Sequence, residues 1–551
     1  MTFFKLHTLV FCFVPTLLAA KHTPALPTQN LFNVRAFGAV GDGVHLDTSA
    51  IAAAIKAAAA AGGGTVVFTP GTYRAGTFEI LSNVSLDLEP GSILQASADI
   101  SDYMTLAQLG FFRVAGEDTS GDGDIAGFIV ARGATNIAIF GHGIIDGNGD
   151  SFFDFHTPHY GMDFDPQYTR GGQAFLDAVR ALDDGPVAMK PAGRPGTLIF
   201  LANASGIVIR DITIRNAPNW TMHIGKSAHA VVSGLRIANN QLIPNNDGID
   251  VIGSHDIHFS DCDIVAGDDD FAIMSSENVT AVNCTLSSYS AGIRLEDTRY
   301  ATFDNLTIHS NRGIGVFERG RGWTHGVLFS NVVIQTRLLT GHWWGKAEPI
   351  YIATAGTSKG VNGVHFSNID ADGESGMMIY GSPGSPIRDV TFDQVRVRIH
   401  APRDAASRGV GGNFDLRWTA KGLETAVFKH DTAALYCRWV DSLKLHGLTV
   451  EWDTNLPDYF SSAVECEDFQ NIDIDGFSGR QAASAEAVIV LRHGDGVTIR
   501  NSTAASGAST FLATSEVSQE GLFFGNDLKN AKAAFAPAAS EFTVFGNLLP
   551  K

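Results

Sequence analysis

Asp247, Asp268 and Asp269 are the residues of this chain whose type and spacing point most directly to chemistry. Asp247 and Asp269 lie 22 residues apart, and the sequence around them repeats at about that interval. Asp247-Gly-Ile-Asp-Val-Ile, Asp269-Asp-Phe-Ala-Ile, Ala291-Gly-Ile-Arg-Leu and Gly313-Ile-Gly-Val-Phe occupy matching places. If successive repeats stack as parallel strands, residues one period apart sit about 4.8 Å from each other on the same face. Three carboxylates then crowd one patch at a strand start, where like charges raise at least one pKa. Hydrolysis of a glycosidic bond needs this division of labour: a protonated carboxyl for the leaving oxygen and an ionised one to activate water. A second reading stays open from spacing alone, in which aspartates at the turns cap backbone amides or bind Ca²⁺. Asp250 and Asp270 fit that second reading better and are expected to face solvent.

The elements that must position these residues follow from the same repeat. Within each unit a second strand follows, as in Ile257-His-Phe, Val279-Thr-Ala-Val, Ala301-Thr-Phe and Gly326-Val-Leu-Phe. A unit of this size cannot bury its own apolar face, whereas stacked units share a continuous core, so the fold class is an all-β solenoid. The 59 Gly and 36 Phe against 8 Met favour turn-rich β structure over a helical bundle. Val66–Phe68, Val84–Leu88, Ile137–Phe140 and Ile207–Ile214 read as strands bounded by turn residues. Asp47-Thr-Ser followed by an Ala-rich run, stopped by Gly62-Gly-Gly, reads as a helix over Thr48–Ala61 that caps the N-terminal end. Cys262 and Cys284, 22 apart, and Cys437 and Cys466, 29 apart, occupy equivalent places. A ladder of buried thiols is favoured there over disulfides between coils.

A chain that is 44% hydrophobic and 18% charged is not disordered, and a formal charge of −19 without a long basic run argues against nucleic acid or an anionic membrane as partner. Lys5 and His7 precede the apolar run Leu9–Leu18 and the pair Ala19-Ala20, so residues 1–20 read as an export signal. The product, 21–551, is expected to be secreted or periplasmic, to lack a membrane helix and to be monomeric. It reads as one domain, the solenoid running from about Ala36 to Phe545 with loop insertions near 157–195 and 401–425.

Asn245-Asn-Asp-Gly-Ile-Asp followed by Gly267-Asp-Asp-Asp-Phe-Ala-Ile resembles the NTDG and GDD motifs of the polygalacturonases, glycoside hydrolase family 28. Asn33-Val-Arg-Ala-Phe-Gly-Ala-Val-Gly-Asp-Gly, Gly62-Gly-Gly-Thr-Val, Pro70-Gly-Thr-Tyr, Gly143-Ile-Ile-Asp-Gly-Asn-Gly, Arg194-Pro and Asn216-Ala-Pro-Asn-Trp-Thr-Met-His add to the likeness, which covers roughly 31–400 in the family's order. The resemblance implies a single right-handed parallel β-helix with an N-terminal capping helix, acting as an inverting glycoside hydrolase on a plant or microbial polysaccharide or its oligosaccharides. It implies Asp268 as the general acid and Asp247 and Asp269 as holders of the attacking water. No cofactor or metal is called for.

Two elements of the family pattern are missing. Its GHG histidine falls on Ala291, and its RIK motif, whose cations grip the uronic carboxylate, falls on Gly315-Val-Phe317. Homogalacturonan is therefore expected to be a poor substrate, with Phe317 offering an apolar face to a neutral or deoxy sugar. Arg294, Arg319 and Arg321 lie near enough in sequence to contact substrate, or to pair with Glu296 or Glu318. Trp343 and Trp344 are expected to stack on a sugar, and His223 is a further candidate substrate ligand one period upstream of Asp247. His342, Lys346 and Glu348 have weaker claims; Glu465 and Glu467 are expected to be solvated or paired, and Arg438 and Trp439 packed. Two alternatives remain open: a Ca²⁺-dependent polysaccharide lyase with Arg294 as base, and a non-catalytic carbohydrate-binding solenoid.

Overall fold

The short runs separated by Gly, Asn and Asp wind into coils of three strands, each strand hydrogen-bonded in parallel to its equivalent one coil away. A computed structural model describes residues 30–110, 124–158, 170–174, 177, 187–319, 322–339, 345–356, 358–403, 408, 411–416, 427–483, 485–518, 521–536 and 542–550. The export signal expected at 1–20 lies outside them. One coil holds Ile249–Ile252, His255–Ser260 and Asp263–Ala266, and the next holds Phe271–Met274, Glu277–Val282 and Thr285–Ser288. Ile249 pairs with Phe271, Ile257 with Val279 and Ile264 with Leu286, so the 22-residue period of the sequence is the period of the coil. Pairing of this kind runs from Leu31–Asn33 to Phe542–Phe545 in a right-handed parallel β-helix.

Corners between strands are made by residues in the left-handed region, mostly Asn and Asp, whose short polar side chains tolerate it. Asp211, at φ 55°, is one of them, so the single run expected at Ile207–Ile214 is two strands, Ser205–Arg210 and Thr213–Arg215. At the equivalent corner of later coils Asn283 and Asn305, at φ 56° and 54°, stack with a side-chain hydrogen bond of 2.7 Å.

Inward-facing residues stack as ladders. Phe303, Phe329, Phe366 and Phe392 follow one another at ring-centroid spacings of 4.9, 5.1 and 5.0 Å, all fully buried. The four described cysteines are buried thiols, Cys437 facing Cys466 across paired strands. At the N-terminal end the helix Thr48–Ala60 buries Ile51, Ala54, Ile55 and Ala58 and packs on Leu31–Asn33 and Gly64–Phe68. It covers an apolar end that would otherwise offer edges to another chain. Asp47 does not cap it through its side chain; its carboxylate accepts from Val40 and Gly41 N–H at 2.7 and 3.0 Å, tying down the preceding loop.

Both expected insertions carry antiparallel pairs of their own: Phe153–Pro158 with Val187–Met189, and Asn413–Asp415 with Val427–Lys429. Arg170 joins the first to the second, its Nη2 meeting Asp431 at 2.6 Å and its backbone N–H donating to Asn413 at 2.6 Å. Among the described residues no helix is long and apolar enough to cross a membrane.

Because Phe329 has an aromatic neighbour on both sides, Phe329→Ala should cost about 3–5 kcal/mol. Phe545→Ala, at a 53% exposed position, should cost far less. Guanidinium unfolding of the two variants makes the comparison.

Candidate active site

Asp247 and Asp269 are brought side by side by backbone pairing: Thr221 N–H donates to the Asp247 carbonyl at 2.9 Å, and Gly248 N–H to that of Asp269 at 2.8 Å. Asp268 precedes Asp269 in the same turn, and one carboxylate oxygen from each of the three lies within 4.8 Å of the others. All three are buried, and their environments differ. Asp269 Oδ1 accepts from Ser290 Oγ and Ala291 N–H, both at 3.2 Å, and its Oδ2 faces Arg294 at 3.8 Å. Asp268 accepts from Asn245 Nδ2 at 3.3 Å and from the Asp269 N–H at 3.1 Å. Asp247 Oδ1 is buried without a protein donor.

Burial, reinforced by the neighbouring Asp269 charge, pushes the Asp268 carboxyl up to about 7. Burial and the charges of Asp268, Asp250 and Asp269 raise Asp247 well above the usual carboxylate range. Burial raises Asp269 too, but Arg294 and two hydrogen-bond donors work against it. Of the two carboxyls expected to hold the water, Asp269 is thus the one its surroundings best support as an anion. Asp268 is the one poised to carry a proton near neutrality.

Ala291, in the place of the family histidine, serves this centre through its backbone alone. Asn245 and Ser290 were not singled out as site residues, yet each donates to a carboxylate; Asn245, at φ 54°, is itself met by Arg194 at 3.4 Å. Arg194 also bonds the Pro218 and Pro244 carbonyls at 2.9 and 2.6 Å, locking the turn before Asp247.

The sheet behind these turns places His223, Asp250, Ala272 and Arg294 opposite one another in successive strands. His223 is buried against Phe200 and Trp220, at ring spacings of 5.0 and 5.7 Å, and burial lowers its pKa to about 4. It is a neutral imidazole beside the acids. Arg294 meets Glu296 at 3.2 Å, and Arg319 meets the same carboxylate at 2.9 Å. Burial disfavours the Arg294 charge, but Asp269, Glu296, Asp247 and Asp268 outweigh it and hold the proton more tightly.

Three expectations are corrected. Asp250 and Asp270 do not face solvent; both are fully buried, and burial with the Asp269 charge raises Asp270 well above its usual range. Pointing out of the sheet is not pointing into water where turns and loops stand over it. Phe317 offers no face to a sugar: it is 2% exposed, packed with Tyr351, Met378 and Tyr436 beneath Phe414 and Leu416 of the second insertion. Under that insertion lies Arg312, which sequence reasoning passed over, 1% exposed and paired with Glu348 at 3.3 Å and Asp415 at 3.7 Å. Tyr351 lies 4.0 Å beneath its guanidinium.

Glu348 is therefore structural, and Lys346 is buried with its ammonium on the Gly345 carbonyl at 3.1 Å. Trp343, Trp344, His342 and Arg321 lie outside the described residues. Glu465 and Glu467 both bond Arg492 and, with it, line a cavity of about 580 Å³ beyond the insertion. Arg438 lies 4.1 Å over Trp439 and bonds Asp468 at 2.8 Å, a packed coil face as expected.

Residues 188–295 match the family model described as glycosyl hydrolases family 28, and residues 31–97 match rhamnogalacturonase A/epimerase, pectate lyase-like. A probable polygalacturonase of Vitis vinifera is 26% identical over 400 residues, covering 66% of this chain and 74% of that protein. The chain spans 59% and 42% of the length of two further relatives. Among solved structures, a family 28 exopolygalacturonase of Yersinia enterocolitica superposes with a TM-score of 0.54 at 17% identity, over 81% of this chain and 78% of that one. A hyperthermoactive exopolygalacturonase of Thermotoga maritima does so with a TM-score of 0.52 at 18% identity, over 68% and 88%.

Asp268→Asn should abolish turnover with the fold intact, since the amide fills the same volume and cannot protonate a leaving group; Asp247→Asn and Asp269→Asn should each lose orders of magnitude. Assays on a cleaved substrate, with circular dichroism, check both halves. A raised carboxyl pKa stabilises the fold fully below the unfolded value, and that contribution is lost as pH rises through the folded value. Stability from Asp268 should therefore fall between its ordinary 3.8 and about 7. Melting curves across that window should fall less steeply for Asp268→Asn than for the unmodified protein.

Proposed function

We propose that this divergent polygalacturonase-like glycoside hydrolase, which acts on pectin-like polysaccharide, cleaves beside a neutral sugar and does so with inversion. The observation that carries the reading is the charge inventory around Asp268. Asp247 and Asp269 stand beside it, with Asp250 next to Asp247 and Asp270 next to Asp269, while Arg294 is shared between Asp269 and Glu296 and Arg319 is held by Glu296. At the two places where the family pattern puts uronate-gripping cations stand Gly315 and the buried Phe317. A uronic carboxylate set there adds a charge to an acidic pocket without the charge-assisted bonds, about 1.5–3 kcal/mol each, that would offset it. A neutral sugar meets carboxylates that accept from its hydroxyls. The neutral preference rests on the absent cations, not on an apolar platform.

In the step itself, Asp268 gives its proton to the glycosidic oxygen as the bond to the anomeric carbon breaks. Water attacks that carbon from the opposite face and passes a proton to Asp269. Two oxygens up to 4.8 Å apart can both accept from one water at about 2.8 Å, which fits a nucleophile held between Asp247 and Asp269. The cluster is tighter than the about 6.5–9.5 Å usual for inverting pairs and nearer the about 5–5.5 Å of retaining ones. Inversion therefore rests on the motif likeness and on this water position. Proton NMR of the first-formed anomer decides it, the opposite configuration to the substrate being expected.

The same three oxygens could gather a cation, as the lyase reading requires. Against it, Arg294 would have to give up a proton that four carboxylates hold in place. Removal of an export signal at 1–20 would deliver the enzyme as a secreted or periplasmic monomer.

Reducing sugar should appear from pectic polymers rich in rhamnose or galactose much faster than from polygalacturonate, without the ultraviolet absorbance of an unsaturated uronate. Incubation with EDTA should leave the rate unchanged. Efficient cleavage of polygalacturonate, lost on Arg294→Ala, would overturn the neutral-sugar reading.

A further inference from the structure

Beyond the docked insertion the outward row of this sheet becomes charged again. From Arg294 the row runs through Gly315, Tyr351, Met378 and Tyr436 to Glu465, and then to Val490 and Ala513. Glu465 thus stands between aromatic and apolar strand neighbours, 7% exposed, with its carboxylate bonded by Arg492 Nη1. The same nitrogen donates to Glu467 Oε1 at 3.1 Å, and Tyr436 OH donates to Glu467 Oε2 at 3.3 Å. Burial strips the Glu465 carboxylate of water, a cost that a half-exposed arginine offsets only in part, and an apolar residue in such a place is often as stable. Stability alone does not account for the pair.

Over these residues lies a cavity of about 580 Å³, within the roughly 300–1,000 Å³ usual for small-molecule sites. Glu465, Glu467 and Arg492 line it together with Thr514 and Ser515 of a later strand and His430 at the base of the insertion. The cavity opens to solvent: Glu467, Arg492, His430 and Thr514 are half-buried and Ser515 is exposed. Ser461 Oγ, in the same wall, is buried without a protein partner, an orphaned atom of the kind that ordered water or a ligand satisfies. Asp431 and Glu486 also line the cavity, so carboxylates outnumber the one guanidinium there, which is already engaged, and an anionic ligand is disfavoured. A metal ion is disfavoured too, because the two glutamates already share a cation and, among the described residues, only the aspartates of the candidate active site converge closely enough to hold one. Hydroxyls match every group present: carboxylates accept from them, while the guanidinium and the Ser and Thr side chains donate to them. The His430 ring, backed by Phe414 at 4.7 Å and 17°, adds one flat face for a sugar ring.

We propose that this cavity is a second carbohydrate site, taking a short neutral saccharide five strand steps, about 24 Å, beyond Arg294. Its use, holding a branch or a distant stretch of the polymer while the aspartates cut elsewhere, rests on the hydrolase reading given above; the binding itself does not.

Calorimetric titration of the Asp268→Asn protein, which spares the ligand from cleavage, uses neutral oligosaccharides from galactan, arabinan and xyloglucan, with trigalacturonate as the acidic comparison. At least one neutral oligosaccharide should bind, and adding Glu465→Gln should weaken that binding about tenfold or more, since a charge-assisted bond is lost. Glu465→Gln leaves Arg492 short of a partner and could fail to fold, so Ser515→Arg is titrated beside it. The long side chain of that variant reaches from the exposed rim into the acidic cavity and occupies it, and the same binding should be lost. Binding that either folded variant weakens by less than about tenfold overturns the proposal. So does failure of every neutral oligosaccharide to bind, or a response of trigalacturonate binding to either substitution. A neutral ligand lost from the folded variants, with no cleavage of any polymer by the unmodified enzyme, supports the second site and sinks the hydrolase reading.

Discussion

Parallel register at one fixed period is the constraint on which the rest of the molecule depends. Ile249 opposite Phe271 puts Asp247 beside Asp269, while Ile257 opposite Val279 and Ile264 opposite Leu286 hold the same coil in step on its other two faces. A slip of one residue in any of these strands would turn its buried side chains outward. The corners help to fix the step, because left-handed residues, mostly Asn, Asp or Gly, let the chain turn sharply at the bends. The chemistry is thus a by-product of winding: no loop has to fold back to gather the acids.

Winding also concentrates charge where water is scarce. Three aspartates with a fourth and fifth beside them cannot all ionise in a buried patch, so protons are retained and the cluster divides into members of unequal character. What separates Asp269 from its neighbours is local and nameable: two donors from the turn at Ser290 and Ala291, and the face of Arg294. Asp268 lies against the Asp269 charge, which adds to burial in pushing its carboxyl up to about 7. The unequal character of the carboxyls follows from which donors and charges the neighbouring turns present to each.

Much of this was legible in the sequence, and the boundary of legibility has a physical cause. The solenoid, the thiol ladder and the convergence of Asp247, Asp268 and Asp269 follow from periodicity, because contacts between neighbouring coils recur at a constant separation, and the helical cap follows from its Ala-rich run and Gly stop. The fate of Phe317 and the pairing of Arg312 with Asp415 do not. Those contacts join the sheet to an insertion about a hundred residues further on, with no period to betray them. Asp250 was misread for a related reason. Alternation along a strand tells which side of the sheet a residue takes, and says nothing of what is folded over that side.

The lost cations and the docked insertion are one structural change. Gly315 leaves open the volume that the Phe317 ring fills: a Cβ there would come within 2.6 Å of that ring and 3.3 Å of the Arg312 side chain. With the ring lying across Gly315, Phe317 joins Tyr351 and Met378 in an apolar platform, and Phe414 and Leu416 settle on it. The insertion brings Asp415, which turns Arg312 inward to share its charge with Glu348 and Asp415. A large cation restored at 315 would have to displace the ring, and with it the floor on which the insertion rests. A side chain at 315 and the Phe317 ring lying across it are therefore mutually exclusive packings, and this chain has the second.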